Sequence, residues 1–151
     1  MRFAIPAILV FLTVTAISPC ASGFAANIPD QQSIDALAAK VDQAPQSERC
    51  FLYAELVHQM TEFSARQYAA GNVEKATDLL KQVQGLTHKI HLSVASNRKR
   101  LKNTEIQLRH AAFRLAGLLH ASSAEDRPLV AETLAQVNQV QSEAMMRVFS
   151  K

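Results

Sequence analysis

Beyond about residue 30, apolar residues recur every three or four positions almost without interruption, and no stretch shows the period of two that marks a strand. The longest stripe is Val83, Thr87, Ile90, Val94, Asn97, Leu101, Thr104, Leu108, Ala111, Leu115 and Leu118, in strict alternation of four and three. This is the spacing of a coiled-coil seam. It passes through SNRKRLKNT, residues 96–104, with no change of phase and no Gly or Pro. The pattern therefore predicts one central helix over about 73–121, some 70 Å long at ~1.5 Å per residue. Polar Thr87, Asn97 and Thr104 weaken the seam and leave a second reading. In that reading two helices flank a break near 96–103, with Asn103 or Thr104 as a cap.

Caps and breakers place the other elements. After residue 25, prolines occur only at 29, 45 and 128, and glycines only at 71, 85 and 117, which favours few, long helices. Pro29 and Asp30 precede a helix with Ile34, Leu37, Ala38 and Val41 on one face, closed by Pro45. A second helix runs from near Ser47 to about Ala70, its stripe made by Tyr53, Leu56, Val57, Met60 and Phe63. Gly71 and Asn72 form the turn that follows, with Asn72 as a cap. Asp126 and Pro128 open the last helix, whose inward face is Val130, Leu134, Val137, Val140, Ala144 and Val148, ending near Phe149. The expected fold is all-α: antiparallel helical hairpins built on the long central helix. If that helix breaks, the same elements make a compact four- to five-helix bundle. Residues 26–151 form a single all-helical domain, long enough to bury a core without metals or disulfides. The stretch YAAGNVEKATDLL resembles one turn of a tetratricopeptide repeat. No self-similarity with a period of roughly 34 residues recurs, so it reads as a generic αα-hairpin.

The N-terminus has a different character. Met1 and Arg2 precede the apolar run Phe3–Ile17, and small residues follow in SPCASGFAAN. That order predicts a secretory signal peptide over residues 1–25, cleaved after Ala25. The run is short of the ~20 residues that span a bilayer, and Pro6 interrupts it. The expected localisation is therefore exported, periplasmic or secreted. Lipid anchoring through Cys20 is disfavoured by Pro19 immediately before it. Cleavage leaves only Cys50, so no intramolecular disulfide is expected. Cys50 reads as a small buried hydrophobe, with pairing between chains as the sharper reading.

Charge is uneven along this frame. Residues 81–114 hold eight basic residues against Glu105 alone, whereas residues 30–80 hold four basic against eight acidic. The densest cluster is Arg98, Lys99, Arg100 and Lys102. Leu101 would face inward while these four fan out as a contact surface for an anionic partner. Nucleic acid is not the expected partner, because an exported chain rarely meets it and the stretch lacks aromatic residues for stacking. An unknown protein or an anionic envelope component fits better, and the half-covered spine also suggests a homo-oligomer.

Candidate chemistry is sparse. His88 and His91 lie three apart and would neighbour one another on a helix, and Glu55 and His58 have the Glu-x-x-His spacing of di-iron bundles. No second such pair exists, since Glu105 and His110 are five apart. The metal reading therefore rests on His88 and His91, with Glu55 and His58 as accessory candidates. No haem-attachment motif, Gly-rich phosphate loop or nucleophile–base pair is present, and Cys50 and His58 stand two turns apart. No catalytic residues and no cofactor are expected. The two functional readings are a non-enzymatic exported interaction module with a basic middle, and a metal-binding bundle using His88 and His91.

Overall fold

The computed structural model describes residues 28–97 and 99–150. The expected signal peptide, Cys20, Arg98 and Lys151 lie outside the described residues. The described residues form five helices: α1 Gln31–Gln43, α2 Gln46–Ala69, α3 Val73–Val94, α4 Leu101–Ala121 and α5 Arg127–Phe149. It is an all-helical bundle with no strand among the described residues.

Each end has a local cause. Asp30 and Ser33 form a reciprocal capping box at the start of α1, with Ser33 N donating to Asp30 Oδ1 over 2.8 Å and Asp30 N donating to Ser33 Oγ over 2.9 Å. α2 ends in a Schellman turn: Asn72 N donates to Gln67 O over 2.9 Å and Gly71 N to Tyr68 O over 3.0 Å. Gly71 sits at φ 83°, where the absence of a Cβ removes the strain. Asn72 precedes α3, but its side chain turns back to donate to Gln67 Oε1 rather than capping the new helix. Asp126 precedes α5 in the same way; its carboxylate accepts from Tyr68 Oη and Ser123 Oγ, tying the α4–α5 turn to the end of α2.

α2 lies between α3 and α4, and α5 closes the square against the same two helices, so α3 and α4 stand at opposite corners. Side-chain bonds give the directions. His58 pairs with Gln107 and Glu62 with Arg114, making α2 and α4 parallel. Gln84 pairs with Thr133 and His91 with Glu143, making α3 and α5 parallel. α1 packs on the outside of α2 through Ile34, Leu37 and Val41. Because α2 faces three helices, burial extends around it from Cys50 and Phe51 through Ala54, Val57 and Thr61 to Ser64. Tyr53, expected in the stripe, is only half-buried and lies beneath Lys89, whose Nζ is 5.6 Å from the ring centre.

The central helix is not continuous. α3 stops at Val94 and α4 starts at Leu101 on the opposite corner, so the connection between them crosses one end of the bundle diagonally. Asn97 is the staple of this crossover. Its Nδ2 donates to Ser47 O at the start of α2 over 3.1 Å, and its Oδ1 accepts from Lys99 N over 3.0 Å. Arg100 then takes the left-handed conformation, φ 59°, which ends any helical path. The seam phase survives because Val94 and Leu101, on either side of the crossover, both turn into one small cluster with Ala144. Neither Asn103 nor Thr104 caps α4; Arg100 occupies the N-cap position, and no side chain caps the helix.

α5 departs from expectation at two positions. Thr133 rather than Leu134 is fully buried alongside Val130, with its hydroxyl donating to Leu129 O and accepting from Gln84. Val148 is not buried: the bundle ends at Ala144, and α5 continues beyond it.

Candidate functional site

The crossover brings Lys99, Arg100 and Lys102 of the predicted basic cluster to the end of the bundle where α2 begins and α5 finishes. Glu48, in the first turn of α2, receives Lys99 Nζ at 2.6 Å and Arg100 Nη1 at 3.3 Å. The Lys99 hydrogen bond, reinforced by Arg100, holds the Glu48 carboxyl below its usual range despite partial desolvation. The Arg100 guanidinium also lies 3.5 Å from the Phe51 ring centre, a cation–π stack. Lys99 and Arg100 therefore serve the fold as well as the surface: together they clamp the crossover to α2, with one carboxylate between two cations. Lys102, one residue into α4 and exposed, has no ion pair among the described residues. Arg98, the fourth member of the predicted cluster, lies outside them.

The histidines are distributed over separate faces. His88 and His91 stack with ring centres 6.3 Å apart beside a shallow groove between α3 and α5 lined by Gln84, Gln136 and Gln139. His91 Nδ1 meets Glu143 Oε2 at 2.8 Å. Glu55 and His58 share a different groove, of about 590 Å³, with Gln59, Glu62, Arg66 and Arg114 on α2 and α4. There His58 Nδ1 is 2.7 Å from Gln107 Oε1, and its ring stacks on His110 at 5.4 Å. The four metal candidates thus form two unconnected pairs. Among the described residues no group of three or more His, Cys, Asp or Glu is placed to hold a metal ion.

Cys50 is fully buried, and desolvation pushes its thiol pKa up against hydrogen bonds involving Ser93 and Thr104. A raised pKa suppresses the nucleophilic thiolate, and burial withholds the sulfur from another chain. Arg66 is a further anomaly. Its Nε and Nη2 are buried with no hydrogen-bond partner, as is Gln59 Oε1 about two turns earlier on the same face, while the guanidinium rests against Phe63 at 5.4 Å.

Three participants escaped sequence reasoning. Glu48 and Glu143 become partners of Lys99, Arg100 and His91 only through the tertiary fold, and nothing local marks them. The exposed apolar end of α5 did leave a signal: in MMRVF, residues 145–149, four apolar residues of five are too many for one inward stripe. No family model, no curated protein and no solved structure matches this chain.

Proposed function

We propose that this protein is an exported, non-catalytic helical module that engages an anionic partner or envelope component through the basic end of its bundle. The observation that carries the reading is the crossover itself. It collects Lys99, Arg100 and Lys102 at one end, where Glu48 alone answers Lys99 and Arg100. Export rests on the N-terminal order of basic start, apolar run and small residues. Contact of this kind is electrostatic and weakens with salt. The test is retention on immobilised heparin, used as a generic polyanion. The protein should elute at a salt concentration that falls clearly in Lys99→Gln/Lys102→Gln. Passage through the column at low salt would sink the reading.

A second reading is supported by the Glu143 carboxylate at His91 Nδ1. A carboxylate in that position orients an imidazole and leaves Nε2 for a metal, with His88 alongside. This would be a two-histidine surface site for zinc or copper(II). Titration calorimetry decides it: stoichiometric binding lost in His88→Ala/His91→Ala supports the site, and no binding by the unaltered protein rules it out.

A further inference from the structure

Five of the eight large apolar side chains exposed among the described residues gather at the crossover end: Leu92, Met145, Met146, Val148 and Phe149. The cause is that α5 outruns its bundle. Ala144, the last buried residue of α5, packs with Val94 and Leu101 at the two ends of the crossover. Residues 145–149 continue the helix about 7.5 Å past that level, and all five are exposed. At about 100° per residue, the four apolar members of this overhang cover an arc of roughly 160°, and Arg147 projects from the opposite side. The overhang is therefore amphipathic in its own right. Met146 is 64% and Phe149 79% exposed, far from the single scattered apolar residues that any surface carries.

Charge decides what could cover this tip. Lys99 and Arg100 on the crossover, Lys102 in the first turn of α4 and Arg147 on the overhang itself lie at this end, as do Lys40 and Arg49 where α1 passes into α2, against Asp42, Glu48 and Glu143. Glu48 is already shared by Lys99 and Arg100, and Glu143 holds His91. A second copy docking here about a two-fold axis would bring the same cations face to face. An anionic surface with an apolar interior receives both components at once.

We infer that the tip docks on an anionic lipid bilayer. Met145, Met146 and Phe149 enter the boundary between headgroups and acyl chains, and Lys99, Lys102 and Arg147 meet the lipid phosphates. Contact is peripheral, since no described helix is long and apolar enough to cross a membrane. The inference rests on the anion-facing reading above and narrows its partner to lipid.

The test uses protein produced from the full chain and sedimented with vesicles of mixed phosphatidylglycerol and phosphatidylcholine, or of phosphatidylcholine alone. Binding is expected to the anionic vesicles, to fall with salt and to be weak on the neutral ones. Met146→Ser/Phe149→Ser should lower the partition coefficient on the order of tenfold or more, because both side chains lose their apolar burial. Lys99→Gln/Lys102→Gln should lower it by about fivefold per cation removed. Met146, Phe149 and Lys102 are exposed and Lys99 is largely so, so an unchanged helical circular dichroism spectrum is expected for both variants. No binding to anionic vesicles, or binding indifferent to Met146→Ser/Phe149→Ser, overturns the inference. Retention on heparin without vesicle binding leaves the anion-facing reading standing and defeats only the lipid assignment; absence of both defeats both. A dimer that becomes monomeric in Met146→Ser/Phe149→Ser, with no vesicle binding, would make the tip a self-association surface and overturn the inference equally.

Discussion

Replacing Asn97 with Ala separates the crossover from a continuous helix by the sign of its effect. Asn97 is only 9% exposed, and its amide makes two well-formed hydrogen bonds, to Ser47 O at 3.1 Å and from Lys99 N at 3.0 Å. A neutral hydrogen bond contributes about 1 kcal/mol net, so removing both costs about 2 kcal/mol. The loss falls where the connection is anchored to α2, so no neighbouring bond replaces it. For a domain of this size, about 2 kcal/mol lowers the midpoint of thermal unfolding by roughly 8 °C. If residues 73–121 formed one helix, Asn97 would sit in its interior and Ala would be the better helix former by about 0.6 kcal/mol. Urea titration followed by circular dichroism at 222 nm measures the difference, with exposed Asn103→Ala as a control expected within about 0.5 kcal/mol of the parent. An Asn97→Ala variant as stable as the parent, or more so, would refute the reasoning.

Further outcomes follow from the same geometry. Arg100→Ala and Arg100→Gly both lose the Phe51 stack and the Glu48 ion pair, but only Gly relaxes the left-handed backbone, so Gly should be about 1 kcal/mol the more stable of the two by urea titration. In a continuous helix the order would reverse. Because the folded-state pKa of Glu48 lies below its ordinary value near 4.5, the stability it contributes is present above that value and is lost as pH falls through the lowered one. The stability gap between the parent and Glu48→Gln should therefore be open at pH 6 and close on acidification toward pH 3; a gap unchanged by pH would contradict the clamp. Arg66→Met removes two unpartnered buried donors while keeping an apolar stem, and should leave stability unchanged or raise it by about 1 kcal/mol. A loss above ~1 kcal/mol would mean that the guanidinium has a partner in solution.

The helices were legible because their causes are local. The Asp30 capping box, the Gly71 turn and Pro128 each mark an end within a few residues of itself, and the stripes from Ile34 to Val41 and from Leu56 to Phe63 name much of the core. The break at 95–100 was hidden because it preserves phase. Val94 and Leu101 are seven residues apart, as in an uninterrupted helix, yet both face the same cluster from opposite ends of a loop. The residue that could have signalled it was Asn97, a buried amide in an otherwise apolar seam, whose partners lie about 50 residues away at the start of α2. Val148 was misplaced for a related reason: periodicity records which side of a helix is apolar, not whether another helix reaches that far. The basic cluster was recognised as a surface, but its attachment to Glu48 and Phe51 depends on which helix start the crossover passes over. That information is tertiary.

The distance between α3 and α4 tests the central claim most directly. Spin labels on cysteines introduced at exposed Lys81 and Phe113 report it by pulsed dipolar spectroscopy, with fully buried Cys50 expected to stay unlabelled. Both positions lie a similar distance from the crossover, on helices at opposite corners of the bundle. With neighbouring axes 8–10 Å apart, the labels should be separated by roughly 25–30 Å, including their linkers. A continuous helix would hold the two positions about 48 Å apart at ~1.5 Å per residue, and a distribution centred there would contradict the crossover and the basic end built on it.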